Sequence, residues 1–137
     1  STPDGSAIIA AMQRALADAG IAPEAIGYVN AHGTSTPEND RMEALATRAV
    51  FGASPPPVSS TKSMIGHTLS AAGAIEAAIC LLALRDQVLP PTINNDDPDP
   101  ELGLDTVPES RPHAFAAALS NSFGFGGQNV CVALGRA

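Results

Sequence analysis

Three short segments of the chain set glycine, hydroxyl and titratable side chains next to one another: Ala31-His32-Gly33-Thr34-Ser35-Thr36-Pro37, Ser59-Ser60-Thr61-Lys62-Ser63-Met64-Ile65-Gly66-His67, and Ser122 to Gly127. A histidine that ends a strand and is followed at once by glycine and three hydroxyl residues, as His32 is, can point into a crevice, stay neutral and donate one N–H. The plainer reading is a loop histidine bonded to those hydroxyls. His67 stands at the threshold of a predicted helix, where the positive end of the macrodipole disfavours imidazolium. A neutral ring there can stabilise developing enolate charge, whereas a plain helix-cap histidine would only satisfy a backbone group. Two such rings near one crevice are harder to dismiss as plain loop and cap residues than either alone.

Lys62 is the only lysine, the other basic residues being arginine. Glu76 is the lone charge of an apolar helix, where an unpaired carboxylate would be strongly destabilising or would protonate. It needs a cation unless it reaches solvent at one side, and Lys62, on the loop that feeds the same helix, is the candidate. Such a pair would hold the loop and orient His67. In Phe123-Gly124-Phe125-Gly126-Gly127 the glycines permit positive φ and close approach. This segment reads either as a mobile gate with exposed backbone N–H groups or as a simple hairpin turn. Cys80 and Cys131 lie in apolar runs without CxxC or Cys/His spacing, so both read as packed hydrophobes. No activated nucleophile, metal site or resident cofactor is expected.

These segments need elements to hold them. Ala7, Ile8, Ala11, Met12, Ala15, Leu16 and Ala19 recur at helical spacing after Asp4-Gly5, and Gly20 closes the helix. The run Ile26-Gly27-Tyr28-Val29-Asn30-Ala31 reads as a buried strand ending at His32. Thr36 as N-cap, Pro37 at the first position, and Glu38 and Asp40 in the first turn start a second helix that runs to about Phe51-Gly52. Val58-Ser59-Ser60-Thr61 is taken as a strand because it lies between helices. From Gly66 or His67 to Leu84 a helix apolar on nearly every face should lie at the centre of the molecule. Residues 87–112 form a long, proline-rich, acidic surface excursion. Residues 114–119 and 129–134 read as two closing strands. The sum is an α/β layout with a largely parallel sheet, whose ligands gather at the strands' carboxyl ends.

Composition narrows the class. With 137 residues, 45% hydrophobic and 15% charged, the chain can bury a core as one domain. The net charge of −7 with scattered basic residues argues against nucleic acid. Residues 69–84 are too short to span a bilayer, so no membrane association is expected. Ser1-Thr2-Pro3-Asp4-Gly5 lacks an initiator Met and a secretory signal, and the chain reads as cut from something longer. Without a disulfide framework, a reducing, cytoplasmic setting is expected.

Together, AHGTSTPEND at 31–40, SSTKSMIGHTLSAAGAIEA at 59–77 and LSNSFGFGGQN at 119–129 resemble the carboxyl-terminal half of an elongating β-ketoacyl-acyl-carrier-protein synthase of the condensing-enzyme II type. The resemblance covers essentially residues 1–137, takes in Leu89-Pro90-Pro91-Thr92-Ile93-Asn94 and Asp97-Pro98, and extends to polyketide ketosynthase domains. It implies a thiolase-like fold, layered α/β with a mixed, largely parallel sheet, of which this chain would be the carboxyl-terminal lobe. The implied reaction is a decarboxylative Claisen condensation of malonyl-ACP with an acyl thioester in fatty acid or polyketide elongation. By the family's motifs, His32 and His67 match the histidines that bond the malonyl thioester oxygen, Lys62 and Glu76 the pair that organises the site, and Phe125 the gating phenylalanine whose N–H joins an oxyanion hole. Gln128 departs from the usual threonine or histidine. The acyl-accepting cysteine would lie in the absent amino-terminal lobe. Implied partners are an acyl carrier protein, whose phosphopantetheine carries the substrates, and a second copy in a homodimer of the full-length enzyme. A non-catalytic partner subunit resembling a chain-length factor is the alternative. The resemblance further implies that the sheet lacks its middle strand, so that the chain alone would neither turn over nor fold robustly.

Overall fold

A computed structural model describes residues 4–137. Helix α1 (Ser6–Ala19) begins where the Asp4 carboxylate accepts the Ser6 N–H and ends at Gly20, whose positive φ returns its N–H to the last turn. Strand β1 (Ile26–Asn30) leads to the first histidine, and α2 (Pro37–Phe51) follows with Thr36 Oγ1 accepting the Asn39 N–H. Here the local signals of cap, N1 proline and first-turn acids all coincide with the observed start.

After β2 (Val58–Ser59) come a short helix α3 (Lys62–Ile65), the long helix α4 (Ala72–Asp86), a small hairpin of β3 (Val88–Leu89) with β4 (Arg111–Pro112), and then β5 (Ala117–Phe123) and β6 (Asn129–Gly135). The main sheet has the order β2-β1-β5-β6, the first three strands parallel and β6 antiparallel to β5. Helices α1 and α2 cover one face around Met12, Leu16, Val29 and Leu119. Helix α4 covers the other, around Tyr28, Cys80, Leu84 and Ala118. Gly27 lets the strand pass close to Phe115, since a Cβ there would stand 2.3 Å from the Phe115 Cβ.

Several expectations are corrected. The β1–β5 pairing is direct, with Val29 opposite Leu119 and Asn30 opposite Ser120, so the sheet has no missing middle strand. The strand at 58–61 is only Val58–Ser59, because Thr61 already adopts a helical conformation and starts α3. The long helix starts at Ala72, not at Gly66 or His67: Gly66 and Leu69 both take positive φ, which an α-helix cannot absorb, and a 3₁₀ turn over Leu69–Ala71 leads in. Nor does that helix lie at the centre. Its inner face is Ala72, Glu76, Cys80, Ala83 and Leu84, while Leu81 and Leu82 on the other side are half exposed. Segment 87–112 is not wholly on the surface, for Leu89 and Val107 are fully buried. Strand β5 runs four residues past the expected Leu119 because its ladder with β6 continues to Phe123 opposite Asn129.

Candidate active site

Three parallel strands deliver three loops to one edge. Strand β1 passes into His32, β2 into the Lys62 turn, and β5 into the glycine-rich turn at Phe125.

The His32 turn is gripped through its backbone. Glu43, buried on α2, accepts the His32 N–H at 2.8 Å on Oε1 and the Gly33 N–H at 3.0 Å on Oε2, and also bonds the amides of Asn39 and Asn121. Burial pushes the Glu43 carboxyl up, and these donors pull it back. Sequence reasoning missed Glu43, although an isolated acid within Met42-Glu43-Ala44-Leu45-Ala46 carries the same signal that singled out Glu76. Asn121 was missed because an unremarkable strand presents it, and Phe123, read from sequence as part of the glycine-rich turn, is the last residue of β5.

Lys62 Nζ is hydrogen-bonded to Glu76 Oε1 and both side chains are buried, so the structure forms the pair expected from sequence. Burial raises the Glu76 carboxyl, and the Lys62 ammonium opposes the rise. Beneath them a buried network joins β1 to β2. The Tyr28 hydroxyl lies 2.7 Å from Ser59 Oγ, and Asn30 Nδ2 donates to Tyr28 Oη and Thr61 Oγ1. Asn30 Oδ1, Asn121 Oδ1 and Glu76 Oε2 are buried and accept no hydrogen bond from the described residues.

The rings of His32 and His67 meet edge to face, with centroids 5.6 Å apart and planes at 87°. Phe123 packs on His32 at 5.8 Å. Burial, then the charge of Lys62 and then His67, lowers the His32 ring to about 4, so it is neutral at pH 7. His67 is exposed and lies outside the long helix, so a helix terminus does not govern it as expected. Its Nδ1 accepts the Leu69 N–H at 3.1 Å, which places the proton of the uncharged ring on Nε2. Phe125 stands fully in solvent, and the phenylalanine ring against His32 is that of Phe123. Burial lifts the thiols of Cys80 and Cys131 to about 12, which suits packing and not attack. A cleft of about 370 Å³ is lined among others by Thr34, Ser63, His67, Thr92 and Asn94, whereas His32 is not among its lining residues. Among the described residues no group of three or more His, Cys, Asp or Glu could hold a metal ion.

The family model described as β-ketoacyl synthase, C-terminal domain, matches residues 1–96. The chain belongs to that family. The 3-oxoacyl-[acyl-carrier-protein] synthase 2 of Coxiella burnetii (strain RSA 493 / Nine Mile phase I) is 51% identical over 137 residues, which are 98% of this chain and 33% of that protein. The structure of the ishigamide ketosynthase/chain length factor superposes with a TM-score of 0.95 at 38% identity, over 98% of this chain and 34% of the other. A type II polyketide ketosynthase in complex with its acyl-carrier protein, bound to the hexaketide, does so with a TM-score of 0.94 at 38% identity, again over 98% and 34%. This chain therefore has the thiolase-like α/β fold of its neighbours and spans about a third of the length of the relatives it matches. No helix among the described residues is long and apolar enough to cross a membrane.

Proposed function

We propose that this domain supplies the anion-stabilising part of a β-ketoacyl-acyl-carrier-protein synthase. The observation that carries the reading is the edge-to-face contact of His32 and His67, one ring held neutral by burial and the other with its N–H assigned to Nε2. Two imidazole donors converging on one oxygen suit a charge that develops only during reaction.

In this reading a cysteine outside the chain holds the acyl group as a thioester. The carbon–carbon bond to the carboxylate of the malonyl thioester breaks, carbon dioxide leaves, and the electron pair moves onto the thioester carbonyl as an enolate. His32 and His67 donate to that enolate oxygen. The enolate carbon then attacks the acyl carbonyl, and the tetrahedral intermediate collapses with loss of the cysteine sulfur, which yields the β-ketoacyl thioester. Lys62 and Glu76 hold the loop between the histidines, and Phe125 gates access from the exposed turn at Gly124. No resident cofactor enters this scheme, because pantetheine brings both substrates. An acyl carrier protein as donor, a homodimer of the complete enzyme and a cytoplasmic setting belong to the same reading. Retention of His32, His67 and the Lys62–Glu76 pair in one constellation favours a catalytic subunit over a chain-length-factor-like partner.

The test uses the domain joined to an amino-terminal half that carries the cysteine. His67→Ala should abolish decarboxylation of a malonyl thioester while acylation of the cysteine remains measurable. Undiminished decarboxylation would remove His67 from the role.

A further inference from the structure

Ser60 lies between β2 and α3, nearly buried at 9% exposure, and reaches three segments at once. Its Oγ donates to the Gly33 carbonyl at 2.9 Å, its N–H donates to Thr92 Oγ1 at 3.1 Å, and its carbonyl accepts from Ser63 Oγ at 2.9 Å. Ser63 Oγ accepts in turn from the Ile93 N–H at 3.0 Å. The first bond reaches the His32 turn, and those through Thr92 and Ser63 reach the proline-rich excursion.

Gly33 is seated on Ser60 without clearance. A Cβ at Gly33 would stand 2.3 Å from Ser60 Cβ and 2.4 Å from Ser60 Oγ, and Gly33 has a φ of 48°, which glycine tolerates best. Its N–H donates to Glu43 Oε2. The strands do not need Ser60 for their register, which Val29 opposite Val58, Asn30 opposite Ser59 and the Ala31 N–H to Ser59 carbonyl bond already set. What remains for the Ser60 hydroxyl to control is how the turn carrying His32 sits against the loop carrying Lys62 and His67.

We infer that Ser60 is a positioning residue that pins the His32 turn to the Lys62 loop and thereby sets the separation of the two imidazoles. The inference rests on the function proposed above, since the separation matters only if both rings serve one oxygen. Loss of the pin leaves the Gly33 carbonyl without its side-chain donor and frees the turn to rotate, and displacements of an ångström at a reacting centre are costly.

The experiment uses the complete two-lobed enzyme and compares Ser60→Ala with His67→Ala. Ser60→Ala should lower kcat for malonyl-thioester decarboxylation about 10-fold, with KM for that thioester, the rate of cysteine acylation and Tm all near the parent values. A crystal structure of the variant should show the rings of His32 and His67 further apart. Two results would overturn the inference while leaving the proposed function standing: full decarboxylation by Ser60→Ala where His67→Ala has none, or a joint loss of Tm, acylation and decarboxylation, which would make Ser60 merely structural. Full decarboxylation by His67→Ala would defeat the proposed function itself and this inference with it.

Discussion

The His32 turn is held by its main chain: the carboxylate of Glu43 takes two consecutive N–H groups, Ser60 takes the Gly33 carbonyl, and the buried ring Nδ1 has no hydrogen-bond partner among the described residues. At His67 the ring itself is held, its Nδ1 accepting the Leu69 N–H, on a segment that is open to solvent. The backbone clamp places a ring in a desolvated spot and lowers its proton affinity, whereas the ring clamp chooses which nitrogen bears the proton. A pair built in these two ways combines a donor whose charge state is set by burial with one whose tautomer is set by a neighbour.

The largest way to break the contrast is Glu43→Ala. Removing the carboxylate strands the His32 and Gly33 N–H groups and opens a cavity on α2, and it should cost about 3 kcal/mol in chemical denaturation. A loss below about 1 kcal/mol would mean that the turn is held by something else. Thr36→Ala acts one step further back, removing the N-cap of the helix that carries Glu43, and should cost about 1 kcal/mol by the same measurement. His67→Ala should change stability by no more than about 0.5 kcal/mol, despite its predicted effect on decarboxylation, because the ring is exposed and makes one local bond. A large destabilisation there would erase the distinction between the two turns.

A further way to sharpen the contrast is a slope with pH. The folded His32 ring titrates near 4 and not near 6.5, so between those values the unfolded chain binds the proton first. Stability from this residue is constant above about 6.5 and declines as pH falls toward about 4. Glu43 and Glu76, both raised by burial, act in the opposite sense, so the comparison must be with His32→Gln. The wild-type protein should lose stability relative to His32→Gln across that window, and an NMR titration should put the His32 midpoint near 4. Parallel pH profiles would contradict the desolvated placement of the ring.

Much of the site was legible because its residues break local patterns. Glu76 stands out in an apolar helix, Lys62 is the only lysine, and both histidines follow or precede glycine beside hydroxyls. The helices with strong end signals, α1 and α2, were readable nearly to the residue, since capping is a short-range interaction. The start of α4 was not: apolar residues continue through Leu69, and only the positive φ values of Gly66 and Leu69 break the helix there. Glu43 escaped notice because its meaning depends on a turn ten residues earlier in the chain and on Asn121, 78 residues later.

Sequence by itself determined the kinds of chemistry available, the strand-to-loop order that brings them to one edge, and Lys62 as the candidate partner of Glu76, because a carboxylate buried on an apolar helix needs a cation and Lys62 lies on the loop that feeds that helix. Only the tertiary structure decided that β1 and β5 are direct neighbours, that Phe123 and not Phe125 lies on His32, and that Ser60 and Glu43 bond the same glycine. Those outcomes depend on distances between residues far apart in the chain, which packing sets and periodicity does not record.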